Sequence, residues 1–243
     1  MKKLIFILCL SLFLFVSNVF SNDSGIIAVG GTWVVMKGEH PSVQMERETI
    51  DMNVYKEFYD VVVVFTFKNN GDACDVFMGF PESGYGDMGG YNYNSSGFIT
   101  FSTSVNGVTI DAKREIVKEE TSEGDTYKAY WIKQVSFKDG ETKKIIVKYR
   151  SPLGSGIAYT GHGTDDFVSY VFSGGNWQGK VAESKVNIYF HISADVRTEE
   201  TKGLIKELDH YTYYRTNWEA EEYLRINFKN NEKKDSYDIE NPQ

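Results

Sequence analysis

FYDVVVVFTFKNNGDACDVFMGFPE, residues 58–82, is the stretch that decides the fold. Positions 61–67 are β-branched or aromatic throughout, the composition of a strand covered on both faces. Asn69, Asn70, Gly71 and Asp72 then supply a turn, and a second alternating run follows at Cys74, Val76, Met78 and Phe80. The segment predicts a β-hairpin at the centre of a sheet, with the rest of the chain supplying its partners.

Upstream, 31–37 reads as a first strand, with Trp33 and Val35 on one face. The next apolar positions are odd at Val43 and Met45 but even at Ile50, Met52 and Val54, a switch that one extra residue in a β-bulge at 47–49 produces. Downstream of a glycine-rich loop, Phe101, Thr103 and Val105 lead into Asn106 and Gly107, which tolerate the positive φ of a type I′ hairpin turn. Residues 118–125 read as a solvated charged turn. The alternation of 127–135, a turn at 138–141 and the run Ile145, Val147, Tyr149 predict another hairpin. Residues 151–164 hold Pro152 and four glycines and make the best boundary. Strands follow at 167–172, 186–192, 211–216 and 223–228, with Trp177 and Trp218 as core anchors between them. Leu204, Ile205 and Leu208 form the one candidate helical turn.

Short strands at this spacing, without helical crossovers between them, exclude a parallel α/β fold. They indicate an all-β protein: an antiparallel β-sandwich, or two in tandem, with almost no helix. The division expected is a signal peptide over 1–21, an N-terminal sandwich over 22–152, a C-terminal β-rich half or second small domain over 153–228, and a disordered tail over 229–243.

The leader reading rests on Lys2 and Lys3, an apolar run over 4–16 too short to span a bilayer, and the small residues Val19 and Ser21 before Asn22. It implies an exported protein, periplasmic or extracellular, with no integral membrane segment after cleavage. Removing the two lysines takes the formal charge from −8 to −10, and no basic stripe relieves it, so nucleic acid is excluded as a partner. The remaining 222 residues retain one cysteine, Cys74, and hence no internal disulfide. Its place in an alternating run predicts a buried small hydrophobe.

Four segments carry a resemblance: VVFTFKNNGDACDVFMGFPE, WIKQVSFKDGETKKIIVKYRS, GGNWQGKVAESKVNIYF and TNWEAEEYLRINF. Together with the leader they look like a family of exported bacterial β-sandwich proteins of unknown function. The first half is also similar to the vault/inter-alpha-trypsin inhibitor domain, whose hairpin ends near a Phe-Pro pair, here Phe80 and Pro81. Ala220 stands where the family usually has proline. The resemblance implies an exported β protein and transfers no catalytic residue.

The candidate chemistry is sparse. Gly84, Gly86 and Gly89 match a dinucleotide fingerprint literally, with Asp111 at a suitable distance, but residues 90–97 cannot form the helix that the fingerprint requires. Tyr85, Tyr91, Tyr93 and Phe98 interleave with glycine and asparagine as in a ligand-binding loop, where aromatic faces stack on a flat ligand; folding back over the sandwich edge is the simpler use of the same residues. His162 lies beside Asp165 and Asp166, but His40, His191 and His210 complete no metal pattern, and no nucleophile elbow occurs. The expectation is a non-catalytic cell-envelope module without cofactor or metal, binding an envelope glycan or protein. The alternative is a secreted hydrolase acting on carbohydrate or peptide, with acidic residues and His162 converging in one cleft. N-terminal sequencing of the exported protein is expected to begin at Asn22; a mature chain beginning at Met1 would make the leader an anchor instead.

Overall fold

A computed structural model describes residues 24–29, 32–35, 39–82, 97–121, 124–157, 164–172, 175–219 and 222–233. The leader, most of the glycine-rich loop with Tyr85, Tyr91 and Tyr93, and His162 lie outside the described residues. The first strands are β1 (Ser24–Val29), β2 (Thr32–Val35), β3 (Val43–Val54), β4 (Phe58–Asn69), β5 (Cys74–Pro81), β6 (Thr100–Val105), β7 (Val108–Ile110), β8 (Lys113–Thr121) and β9 (Gly124–Phe137). They are followed by β10 (Thr142–Pro152), β11 (Gly154–Ile157), β12 (Thr164–Phe172), β13 (Val181–Phe190), β14 (Ala194–Val196), β15 (Ile205–Lys206), β16 (Tyr211–Trp218) and β17 (Glu222–Asn230). Among the described residues the one helical piece is a 3-10 turn, Thr198–Glu200, so the chain is all-β as its alternation requires.

Three sheets form. The largest has eight strands in the order β15-β16-β13-β3-β4-β10-β6-β7; β1, β2, β8, β9 and β5 close into a small barrel; β11, β12, β17 and β14 make the third. Most pairs are antiparallel, but β13 lies parallel to β3 and β2 parallel to β8. Strand β13, from beyond residue 153, therefore sits in the same sheet as the N-terminal β3 and β4. The inner face of the large sheet carries Met52, Val61, Val63, Phe65 and Val147. It packs against Met78 and Phe137 of the barrel and against Tyr170 and Ile226 of the third sheet in one core cluster. Sandwich packing of this kind buries alternate residues of each strand.

Strand β4 shows why. Val61, Val63, Phe65 and Phe67 are buried while Val62, Val64 and Thr66 are half-buried, so the segment is covered fully on one face and not on both as expected. The predicted partnership also changes. β4 and β5 do not form a hairpin: β4 pairs with β3 and β10, and β5 with β9 and β1, in different sheets. The hairpin expected between β9 and β10 fails in the same way. Both turns are arches that carry the chain from one sheet to the other, and the Asn69 side chain builds them. Its Nδ2 donates to the carbonyls of Gly71 (3.0 Å), Asp72 (2.7 Å) and Lys138 (3.1 Å), while its backbone N–H donates to Glu141. Gly71 crosses so close to Ser42 that an added Cβ would stand 2.8 Å from the Ser42 Cβ.

Other expectations are met or moved. The bulge occurs between Met45 and Arg47, making Glu46 the extra residue. The Asn106 and Gly107 turn joins β6 to β7 with φ of 49° and 83°, as a type I′ turn demands. Residues 118–121 and 124–125 are strand and not a solvated turn, because β8 and β9 pair as far as Thr121 with Gly124; charge alone does not stop a ladder whose backbone groups are matched. No helical turn forms at 204–208. Gly203, at φ +89°, ends the local chain direction, and Ile205 pairs with Thr212. Lys229 and Asn230, read as tail, extend β17 against β14. Trp177 and Trp218 are buried as anchors, Trp177 edge-on to Phe67 at 4.7 Å. Cys74 is half-buried and packs against the core.

Replacing Val63 by Asp puts an unpaired carboxylate on the fully buried face of β4. Its desolvation costs several kcal/mol, on the scale of the ~5 to 15 kcal/mol that holds a domain together. The variant is expected to lack a cooperative melt; a transition close to wild type would show that this face is not central.

Candidate functional site

Among the described residues, those singled out by type do not converge. Phe98 is buried, stacked on Tyr149 at 4.4 Å and beside Phe101 and Phe80, so its ring serves packing. The loop it follows is tied at its base by Glu82, which is fully buried. Glu82 accepts a fork from Arg114 Nε and Nη2 (3.0 and 2.9 Å), the Trp131 indole N–H (2.9 Å) and the Gly97 backbone N–H (3.3 Å). Residues 82 and 97 thus meet at one carboxylate.

Asp165 and Asp166 are consecutive in β12, and strand alternation sends their carboxylates to opposite faces. Asp165 receives Arg197 Nε at 3.2 Å. Asp166 receives Ser155 Oγ (2.9 Å), Asn230 Nδ2 (3.1 Å) and Lys233 Nζ (2.8 Å). They are structural acceptors already served, and they cannot chelate together. Among the described residues no three His, Cys, Asp or Glu side chains converge as a metal site.

His40 is also structural. It is buried, and its Nδ1 accepts the backbone N–H groups of Ser42 (3.2 Å) and Val43 (2.9 Å) at the start of β3. That role requires an unprotonated Nδ1, and burial pushes the imidazole below its ordinary value of 6.5.

What sequence reasoning missed is the outer face of the large sheet. Along β13, Val186 and Ile188 point inward, so Lys185, Asn187 and Tyr189 point outward, with His191 beyond the strand end. Cross-strand register sets Tyr189 beside Asn53, Asn53 beside Asp60 and Asp60 beside Arg150, an outward row over four strands. Aromatic pairs flank it. Tyr189 stacks on His210 (4.9 Å between centroids), Tyr55 stacks on the exposed His191 (4.8 Å), and Arg150 lies 3.9 Å over Phe58 while forking to Asp60 at 2.7 and 2.8 Å. His191 Nε2 is 2.8 Å from Asn53 Oδ1.

One row inward, Asn187 Nδ2 donates to Asp51 Oδ1 at 2.7 Å, and Thr212, facing Asn187 on β16, donates its hydroxyl to Glu207 at 3.5 Å. The turn over 207–210 is closed by the Glu207 N–H on the His210 carbonyl. Beneath it lies a cleft of about 200 Å³ with Phe190, Ala194, Val196 and Tyr211 in its walls and Lys206 and Glu207 among its polar residues. In that turn His210 holds the Asp209 carboxyl below its ordinary range through a 2.7 Å hydrogen bond. The sequence signal for this face was the polar set interleaved with the apolar run 186–192.

No family model and no curated protein matches the chain. Among solved structures, it is similar over 87% of its length to 71% of a proposed nutrient binding protein of Legionella pneumophila, with a TM-score of 0.63 and 16% identity. That likeness is one of fold. A zinc metallopeptidase from Deinococcus radiodurans (TM-score 0.39, 9% identity, 75% of this chain and 41% of that one) and a leukotriene A4 hydrolase of yeast (0.44, 10%, 80% and 30%) are more distant. No described helix is long and apolar enough to cross a membrane.

The His40 geometry sets a pH dependence. With its folded pKa below the unfolded one, the unfolded chain takes up protons first, so the contribution of His40 to stability is complete above about pH 6.5 and is lost as pH falls below it. Denaturant midpoints measured between pH 5 and 7.5 should fall less steeply in His40→Asn than in wild type; identical slopes would remove His40 from the cause.

Proposed function

We propose that the chain is an exported, non-catalytic cell-envelope protein, periplasmic or extracellular, whose β-sandwich acts as a binding module. The observation that carries this reading is the outer face of the eight-stranded sheet, where Tyr189 with His210 and Tyr55 with the exposed His191 stand as aromatic pairs at the end of the β3-β13 ladder. Aromatic faces held by stacking against a neighbour lose little side-chain entropy on binding, and hydrogen-bonding groups between them give orientation. The fold shared with a proposed nutrient binding protein agrees with a small or extended polar ligand, such as an envelope glycan fragment. The carboxylates nearest His162 in sequence, Asp165 and Asp166, are engaged by Arg197 and Lys233, which speaks against the hydrolase reading. Tyr85, Tyr91 and Tyr93, outside the described residues, keep the binding role that their sequence pattern suggests.

Retention of the purified protein on isolated cell-wall glycan tests this. Tyr55→Ala with Tyr189→Ala should weaken retention about tenfold for each lost hot-spot contact while the melting temperature stays near wild type. Tyr91→Ala with Tyr93→Ala, tested in parallel, reports the share of the loop. Unchanged retention in both double variants would overturn the reading.

A further inference from the structure

Resting on the reading of the outer sheet face as a binding surface, we propose that the row of Asp51, Asn187 and Thr212 is a site for an organic ammonium group. Its ligand would be a small amine whose body lies between Tyr189 and Tyr214.

The starting observation is an unserved acceptor. Asn187 is 7% exposed, and its side chain is oriented by the 2.7 Å bond to Asp51: a carboxylate takes a donor, so the amide nitrogen faces Asp51 and the oxygen faces away. That oxygen is buried and has no hydrogen-bond partner. A buried carbonyl without a donor is costly, and native structures rarely keep one unless something else completes it. The group that completes it must be a donor.

The neighbours say which donor. Thr212 is 1% exposed; its hydroxyl stands 3.5 Å from the Glu207 carboxylate, the outer limit of a hydrogen bond, and makes none to Asn187 Oδ1. Around the buried Asn187 Oδ1 the row holds acceptor capacity: the Asp51 carboxylate beside the amide nitrogen and the Glu207 carboxylate beyond Thr212. An ammonium brings three donors and the charge that makes such bonds short and strong, whereas a carboxylate or phosphate ligand would meet like charge. Lys185 Nζ lies 5.4 Å over Tyr214, and Lys206 Nζ 5.9 Å over Tyr211.

The walls suit a cation as well. Lys185, Asn187 and Tyr189 alternate along one face of β13, and their neighbours on the β16 side are Tyr214, Thr212 and His210. Tyr189 stacked on His210 forms one wall and Tyr214 under Lys185 the other. At ~3.3 Å per residue the two walls start from strand positions ~13 Å apart, a separation that their own rings narrow. Aromatic faces beside a carboxylate attract an ammonium and its apolar substituents together.

Phenethylamine and 2-phenylethanol, which differ in ammonium against hydroxyl, serve as probes in calorimetric titrations at pH 7. Wild type is expected to bind the amine at least about tenfold more tightly, the scale of one hydrogen bond to a charged group. Asp51→Asn, which can still accept from Asn187, should abolish that preference without shifting the melting temperature, and Glu207→Gln should reduce it. Equal affinity for the two probes in wild type, or a preference untouched by Asp51→Asn, overturns the proposal. Glycan retention that depends on Tyr55 and Tyr189, found without amine preference, would sink this inference alone. Amine preference without such retention would sink the glycan reading alone.

Discussion

The architecture depends on how the chain leaves β4. Asn69 is fully buried, and one amide satisfies three carbonyls from two different turns, Gly71 and Asp72 of its own and Lys138 of the other. A hairpin at this point would have kept β5 in the large sheet. The arch instead moves β5 across the core and holds β9 and β10 to the same crossing, so β4 and β10 become neighbours in one layer while β5 and β9 become neighbours in the other. Two crossings locked together give the sandwich its separation, and the side chains of Phe65, Phe67, Met78 and Phe137 fill it.

This arrangement explains what could be read in the sequence. Strand positions, inward parity, the bulge and the Asn106 turn are local properties, fixed by alternation and by which residues accept positive φ. Pairing across a turn is not local. The Asn69 to Asp72 and Lys138 to Glu141 turns have hairpin composition, but their outcome depends on an amide reaching from one turn to the other over 69 positions. The parallel addition of β13 to β3 is invisible for the same reason. At the candidate site the polar parity of Lys185, Asn187 and Tyr189 was visible, whereas the partners that give those residues meaning, Asp51 and Thr212, come from strands whose adjacency no spacing announces.

The structure also separates two uses of polar side chains. Glu48, Glu82, Asp165 and Asp166 lie inside and each has its donors: Glu48 takes the hydroxyls of Ser184 (2.7 Å) and Tyr170 (3.1 Å), and Ser184 in turn accepts the Trp218 indole N–H. Glu48 ties β3 and β13 of the large sheet to β12 of the third, whereas Glu82 joins elements of the barrel and Asp166 joins β11, β12 and β17 of the third sheet; a half-satisfied network would cost more than an apolar one. The outer row differs because its acceptor capacity exceeds its donors.

The parallel junction of β3 with β13 has a kinetic consequence. Asp51 and Asn187 are 136 positions apart, and closing a segment of that length costs on the order of 4 kcal/mol of chain entropy before the ladder returns anything. β3 can pair with β4 as soon as both have been synthesised, but its other edge waits until most of the chain exists. During that interval Thr49, Asp51 and Asn53 line an open template for strands of other molecules. Refolding should therefore be slow and limited by concentration, and the late arrival of β13 is the step that removes the chain from the aggregation pathway.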